Sequence, residues 1–152
     1  MDRLLTTAEV AKVLAHYGVS AHAIVKWVQL GYVRPAEKLG EGPASRNYFG
    51  RGDVLRIAFF KLLTDSGWRR EQAAKYLRQE DEHFVDKMIL AGRSFFNCTR
   101  LVPVHSAFGA GSKVFGFSTK RHQQSGPFSF TIDLNALAEE IKTLTERMTH
   151  GE

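Results

Sequence analysis

The stretch TTAEVAKVLAHYGVSAHAIVKWVQLG, residues 6–31, decides the first half of the fold. Thr6 and Glu9 stand at the spacing of a capping box, in which each residue's side chain satisfies the other's backbone N–H. Val10, Val13, Leu14 and Tyr17 fall at i, i+3, i+4 and i+7, so a helix is predicted from Thr6 to Tyr17 with one apolar stripe. Gly18 supplies the left-handed position that stops it. Val19 is an apolar plug, and Ser20 is the N-cap of a second helix over Ala21–Leu30 that ends at Gly31. Helix, glycine, apolar residue, serine, helix is the pattern of a tight helix-turn-helix. Ile24, Trp27 and Val28 form the second helix's core stripe, which leaves His22, Ala23, Val25, Lys26 and Gln29 facing outward. A cation, an amide and small apolar groups suit the floor of a DNA major groove, where Lys meets guanine or phosphate, Gln meets adenine, and Val meets a thymine methyl. The same residues also suit a plain solvated face.

Downstream, Tyr32 to Phe49 contains Pro35, Gly40, Gly42 and Pro43, which rule out a helix. Tyr-Val-Arg before the glycines and Arg-Asn-Tyr-Phe after them are predicted to be two short strands, with Gly-Glu-Gly-Pro as the hairpin tip. Arg34, Lys38, Arg46 and Arg51 sit on or beside this hairpin. Asp53 is expected to cap a helix through Ser66, with Leu55, Ala58, Phe59 and Leu62 as its stripe and Gly67 as its stop. A further short helix is expected over Arg70–Gln79, with Ala73, Tyr76 and Leu77 facing inward.

Charge divides the chain at the same place. The net charge is +5. Residues 1–80 hold 13 Lys/Arg against 8 Asp/Glu, whereas residues 81–152 hold 8 of each. A basic half joined to a neutral half suits a polyanion partner for the former. The single cysteine, Cys98, excludes an intrachain disulfide and any site needing several thiolates. Met1 to Leu5 carries no apolar signal core, and no stretch approaches a membrane span, so the expected compartment is the cytoplasm, at the nucleoid, with no membrane partner.

In the order of these motifs, residues 4–79 resemble the N-terminal DNA-binding domain of the MerR family. Residues 6–11 (Thr-Thr-Ala-Glu-Val-Ala) are similar to that family's opening helix, Gly18-Val19-Ser20 to its turn, and residues 30–35 (Leu-Gly-Tyr-Val-Arg-Pro) to its exit from the recognition helix. Arg46-Asn47-Tyr48 resembles its Arg-x-Tyr wing signature. The resemblance departs at Val25-Lys26-Trp27, where the family usually carries Arg-Tyr-Tyr; Lys-Trp-Val is closer to the excisionase branch of the superfamily. What the resemblance implies is a winged helix-turn-helix, a recognition face that includes His22 and Lys26, and a wing whose Arg46 and Tyr48 meet the DNA backbone. Together with the residue pattern this makes Ser20, His22, Val25, Lys26, Arg34, Lys38, Arg46 and Tyr48 the expected DNA-binding set.

The second half reads differently. Glu80 to Leu90 suits a helix, or Phe84 to Leu90 a strand. Ser94–Val104 and Val114–Phe117 are strand-like, Gly109 opens a turn, and Lys120–Gly126 is a polar loop. Phe128, Phe130 and Ile132 alternate with polar residues as in a half-buried strand. Asp133 then caps a last helix, in which Leu134, Leu137, Ile141, Leu144 and Met148 recur at spacings of 3, 4, 3 and 4. That is an a/d seam about two heptads long; it fits a dimer interface and equally a helix packed on the preceding sheet. Eight of the eleven phenylalanines lie in residues 81–152, as the core of a small sheet more readily than as an effector pocket. Cys98 with His105 or His122 is framed by no catalytic motif and is read as packing.

The expected architecture is therefore α+β. Residues 1–79 form the winged helix-turn-helix, and residues 80–152 form a small domain of short antiparallel strands closed by a helix. The expected function is a sequence-specific regulator of transcription that binds double-stranded DNA as a homodimer, with RNA polymerase as a neighbour at the promoter and an unspecified small-molecule effector. No enzymatic activity, metal or cofactor is called for. An excisionase-like architectural DNA protein and a protein-interaction module on the same fold are the alternatives.

Overall fold

The computed structural model describes residues 3–40, 46–79, 87–88, 90, 92, 95–101, 112–118 and 129–151. The chain is α+β, with helices and two three-stranded antiparallel sheets. It separates into two compact units, one of Met1–His83 with Ala138–Glu152 and the other of Phe84–Leu137. The last helix thus does not fall wholly with the second half: its C-terminal part clusters with the first.

The first unit opens with strand β1 (Leu5–Thr6) and helix α1 (Thr7–Val13), which continues as a 3-10 turn over Ala15–Tyr17. The capping box at its start is complete. Glu9 N–H donates to Thr6 Oγ1 at 3.3 Å, and Thr6 N–H donates to Glu9 Oε2 at 2.8 Å. Gly18 ends the turn at φ +79°, where a Cβ is disfavoured. Gly18 N–H then reaches Ala15 C=O at 3.0 Å, and Val19 N–H reaches Leu14 C=O at 3.4 Å while the Val19 side chain is buried. This crossed pair is a Schellman closure with its apolar plug. Helix α2 (Ala21–Gln29) follows, with Ser20 Oγ accepting from Ala23 N–H at 3.1 Å. It closes the same way at Gly31 (φ +76°), with Gly31 N–H on Val28 C=O and Tyr32 N–H on Trp27 C=O. Ile24 and Trp27 are buried, whereas Val28 is half-buried.

The hairpin differs from expectation in its first strand. Tyr32–Arg34 follow the closure of α2 and are not in a strand; the strand is β2, Glu37–Leu39. Tyr32 and Val33 N–H groups are taken by Trp27 C=O, so they are not offered to a ladder. Strand β3 (Arg46–Phe49) lies between β1 and β2, with Lys38 opposite Asn47, Glu37 opposite Tyr48, and Thr6 also opposite Tyr48. The expected tip falls partly on residues 41–45, outside the described residues. Helix α3 (Arg51–Asp65) starts three residues earlier than expected: Gly50 is its N-cap, and Asp53 sits one turn in, its Oδ2 accepting from Gly50 N–H at 2.8 Å. Asp53 therefore caps from the N3 position, not as the cap itself. Val54, Ile57, Ala58, Phe59, Phe60 and Leu63 are all buried, so α3 is the central helix of the unit, covered on more than the single expected stripe. Helix α4 (Arg70–Gln79) has the predicted bounds and packs against α3 through Ala73, Ala74 and Leu77. Trp27 meets Phe60 edge-on, with ring centroids 5.0 Å apart, which ties α2 to α3.

The second unit is built on a sheet of order β5 (Ser112–Ser118), β4 (Phe95–Leu101), β6 (Ser129–Asp133). Phe96, Cys98 and Ile132 are buried, and Phe96 pairs with Ile132 across the ladder. On the alternate register, Thr131 Oγ1 donates to Asn97 Oδ1 at 2.8 Å. Lys87, Met88 and Leu90 have helical backbone; the rest of 80–90, the turn at Gly109 and the loop at 120–126 lie outside the described residues. Helix α5 (Leu134–Thr149) is capped by Asp133, whose Oδ1 accepts from Ala136 N–H at 3.1 Å. Among the described residues no helix is long and apolar enough to cross a membrane.

Candidate nucleic-acid interface

Local chemistry places α2 and the hairpin side by side. Ser20 fixes where α2 begins, and the Gly31 closure fixes where the chain leaves it. Buried Leu5 and Phe49, opposite each other on β1 and β3, anchor the hairpin's inner strand. Between these elements lies a concavity of about 900 Å³. The start of α1 contributes Thr6, Thr7 and Ala8 to its lining; α2 contributes Val25, Val28 and Gln29; the hairpin contributes Lys38, Arg46, Asn47 and Tyr48. Among the described residues this lining holds two cations, Lys38 and Arg46, and no acid.

Four of the eight residues expected to bind DNA are thus brought together: Val25, Lys38, Arg46 and Tyr48. Val25 is 40% exposed, an apolar group left to solvent between polar neighbours. Lys38 and Arg46 are exposed and Tyr48 is half-buried. His22 and Lys26 are exposed on α2 but do not line the concavity. Ser20 is exposed, and its hydroxyl oxygen already serves as the α2 cap. Arg34 is not part of this groove; it lines a different cavity of the first unit.

The groove also holds residues absent from the expected set. Asn47 Oδ1 is buried and has no hydrogen-bond partner among the described residues, an uncommon state for a polar atom. Gln29 stands on the outward face of α2, exposed, and was legible from helical spacing. Thr7 and Asn47 belong to quoted motifs but were given no binding role there. Thr7 is the first residue of α1, directly after Thr6, which the β1–β3 pairing sets opposite Tyr48.

Elsewhere in the first unit, two clusters perturb ionisation. Glu9 is held below the usual carboxyl range, first by the Thr6 backbone N–H and also by Arg3, with which it forms an ion pair. Glu140 of α5 accepts from Tyr17 Oη at 2.6 Å and lies 2.7 Å from His16 Nε2. The Tyr17 hydroxyl lowers the Glu140 carboxyl, and His16 adds to this. In return Tyr17 is pushed up, first by burial and then by the carboxylate.

The five residues of the expected dimer seam divide into two groups. Leu134, Leu137 and Ile141 are 0%, 4% and 1% exposed, covered by their own chain. Leu144 and Met148 are half-buried. Leu134 and Leu137 fall in the unit that holds the sheet, whereas Ile141 falls in the first unit. Cys98 is buried, and among the described residues no group of three His, Cys, Asp or Glu side chains is placed to hold a metal. No family model matches the chain, and no curated protein matches it.

Proposed function

We propose that the chain is a sequence-specific double-stranded-DNA-binding regulator built on a MerR-like winged helix-turn-helix. Helix α2 enters the major groove and the β2–β3 hairpin acts as the wing on the flanking backbone. The observation that supports this best is the groove in which Lys38 and Arg46 face Val25 and Gln29 of α2, with no acid among its described lining residues. Cations there meet phosphate, while the amide and the exposed valine have base-edge partners. A homodimer supplies the second half-site. Since Leu134, Leu137 and Ile141 are covered within one chain, Leu144 and Met148 are the seam residues with surface left to offer.

That same burial favours a second reading, in which the protein binds as an excisionase-like architectural factor in arrays, with no C-terminal seam. Footprinting of full-length protein on duplexes selected from a random pool tests both. A single symmetric site supports the dimeric regulator, and direct repeats filled cooperatively support the architectural reading. Binding to no duplex at low salt refutes both and leaves a protein-interaction module.

A further inference from the structure

The first unit has a second cavity, of about 420 Å³, that shares no lining residue with the α2–hairpin groove. Three arginines from three separate elements line it: Arg34 after α2, Arg56 of α3 and Arg78 of α4. Asp53 is the one acid among the described lining residues, and its Oδ2 accepts the Gly50 N–H. Guanidinium groups do not deprotonate in proteins, so the described lining residues bring three fixed cations against one carboxylate. The forks are positioned by backbone. Arg56 Nη1 donates to Leu77 C=O at 3.4 Å, and Arg78 Nε donates to Ala74 C=O at 3.3 Å. Phe60 and Leu77 give the same cavity apolar wall.

We propose that this cavity is a binding site for a small organic oxyanion, a carboxylate or phosphate on a flat apolar body. Planar guanidinium forks match two oxygens of such a group at once, which a lysine cluster does not. The aromatic and aliphatic wall takes the body, and the volume lies within the range of about 300–1,000 Å³ usual for small-molecule sites. Arg34 has no hydrogen bond or ion pair among the described residues, so its fork is available to the ligand. The segment bearing Arg34 runs directly into β2, whose Lys38 lines the DNA groove. The site does not depend on the DNA reading, and it is tested without DNA first.

Phenyl phosphate titrated into the full chain, followed by amide shifts, is the probe, with benzyl alcohol as its neutral counterpart. Saturable binding of phenyl phosphate is expected, with benzyl alcohol weaker by about tenfold or more because it offers the forks no charge. The Arg34→Gln/Arg78→Gln double variant should weaken phenyl phosphate by about tenfold or more while melting at the wild-type temperature. Arg46→Ala, in the other groove, should leave it unchanged. Equal binding of the neutral compound overturns the proposal, and so does equal loss in Arg46→Ala, which would mean diffuse charge. Absence of saturation at millimolar concentration also overturns it. So does displacement by a DNA duplex together with a parallel loss of DNA affinity in the double variant; the arginines would then be backbone contacts of DNA.

Discussion

Arg46 and Lys26 show how far a residue's role follows from its place. Both are exposed cations of the basic half, yet Arg46 lines the groove with Lys38 and Tyr48 whereas Lys26 stands outside it. Under the proposed function Arg46 meets phosphate. Arg46→Ala should then weaken operator and random duplex alike and lower the salt slope by about one. Anisotropy titrations at several salt concentrations check this, and a loss confined to one base position would assign Arg46 to a base instead. Lys26→Ala should cost specific binding about 1–3 kcal/mol only if Lys26 reaches a base edge. From outside the groove lining, a smaller and sequence-independent loss is the expected outcome. Arg46 and Tyr48 were legible because the resemblance rests on them. Asn47 between them was not, because an unpartnered buried Oδ1 is a property of packing and leaves no mark in residue order.

The helices were legible where their signals are local. Caps and closures lie within a few residues of the turn they fix, so Thr6 marked the start of α1, and Ser20 and Gly31 marked both ends of α2, to within a residue or two; α1 itself ends at Val13, and Gly18 closes the 3-10 turn that follows it. Strands β1 and β2 were missed or misplaced because two- and three-residue strands show no period, and their partners lie far along the chain. The Gly31 closure gives a clean test of the local signals. A Cβ there meets no atom within 4 Å, so substitution costs only the strain of φ +76°. Gly31→Ala should destabilise the fold by about 1–2 kcal/mol, read from denaturant midpoints at constant m. Ser20→Ala should cost about 1 kcal/mol through the lost cap. If both variants match wild type, the helix-turn-helix does not depend on these closures.

At the scale of the whole molecule the informative pair is Glu140 with Tyr17, 123 residues apart in sequence. No pattern in either segment foretells it, since composition assigned the last helix to the second half only by proximity. The Glu140 carboxyl is lowered from its ordinary 4.5, so its contribution to stability is present at neutral pH and disappears as pH falls through the acid range. Both side chains in the His16–Glu140 pair are about half exposed, and the effect is correspondingly modest. Glu140→Gln should lower the melting temperature at pH 7, and the gap to wild type should shrink as acid protonates the Glu140 carboxyl. A gap that stays constant from neutral pH down through the acid range would show that the carboxylate's charge contributes nothing.

The a/d spacing of α5 was read correctly as a stripe, but spacing names no partner, and burial separates its members. Ile141 is 1% exposed, in the part of α5 that belongs to the first unit. A glutamate there would enter space already filled by the same chain, and an unpaired charge in such a place is strongly disfavoured. Ile141→Glu should therefore lower the melting temperature of the protein, even at concentrations where any dimer has dissociated. Met148 is half-buried near the end of the same helix. If the proposed dimer uses it, Met148→Glu should leave the melt of the dissociated chain within about 0.5 kcal/mol of wild type while weakening association. Sedimentation across micromolar concentrations, paired with melting curves, distinguishes the two effects. Dissociation without unfolding in Ile141→Glu would contradict the packing of this residue within its own chain. A wild-type protein that sediments as a monomer, alone and on its operator, would remove the homodimer and leave the architectural mode as the way this groove meets DNA.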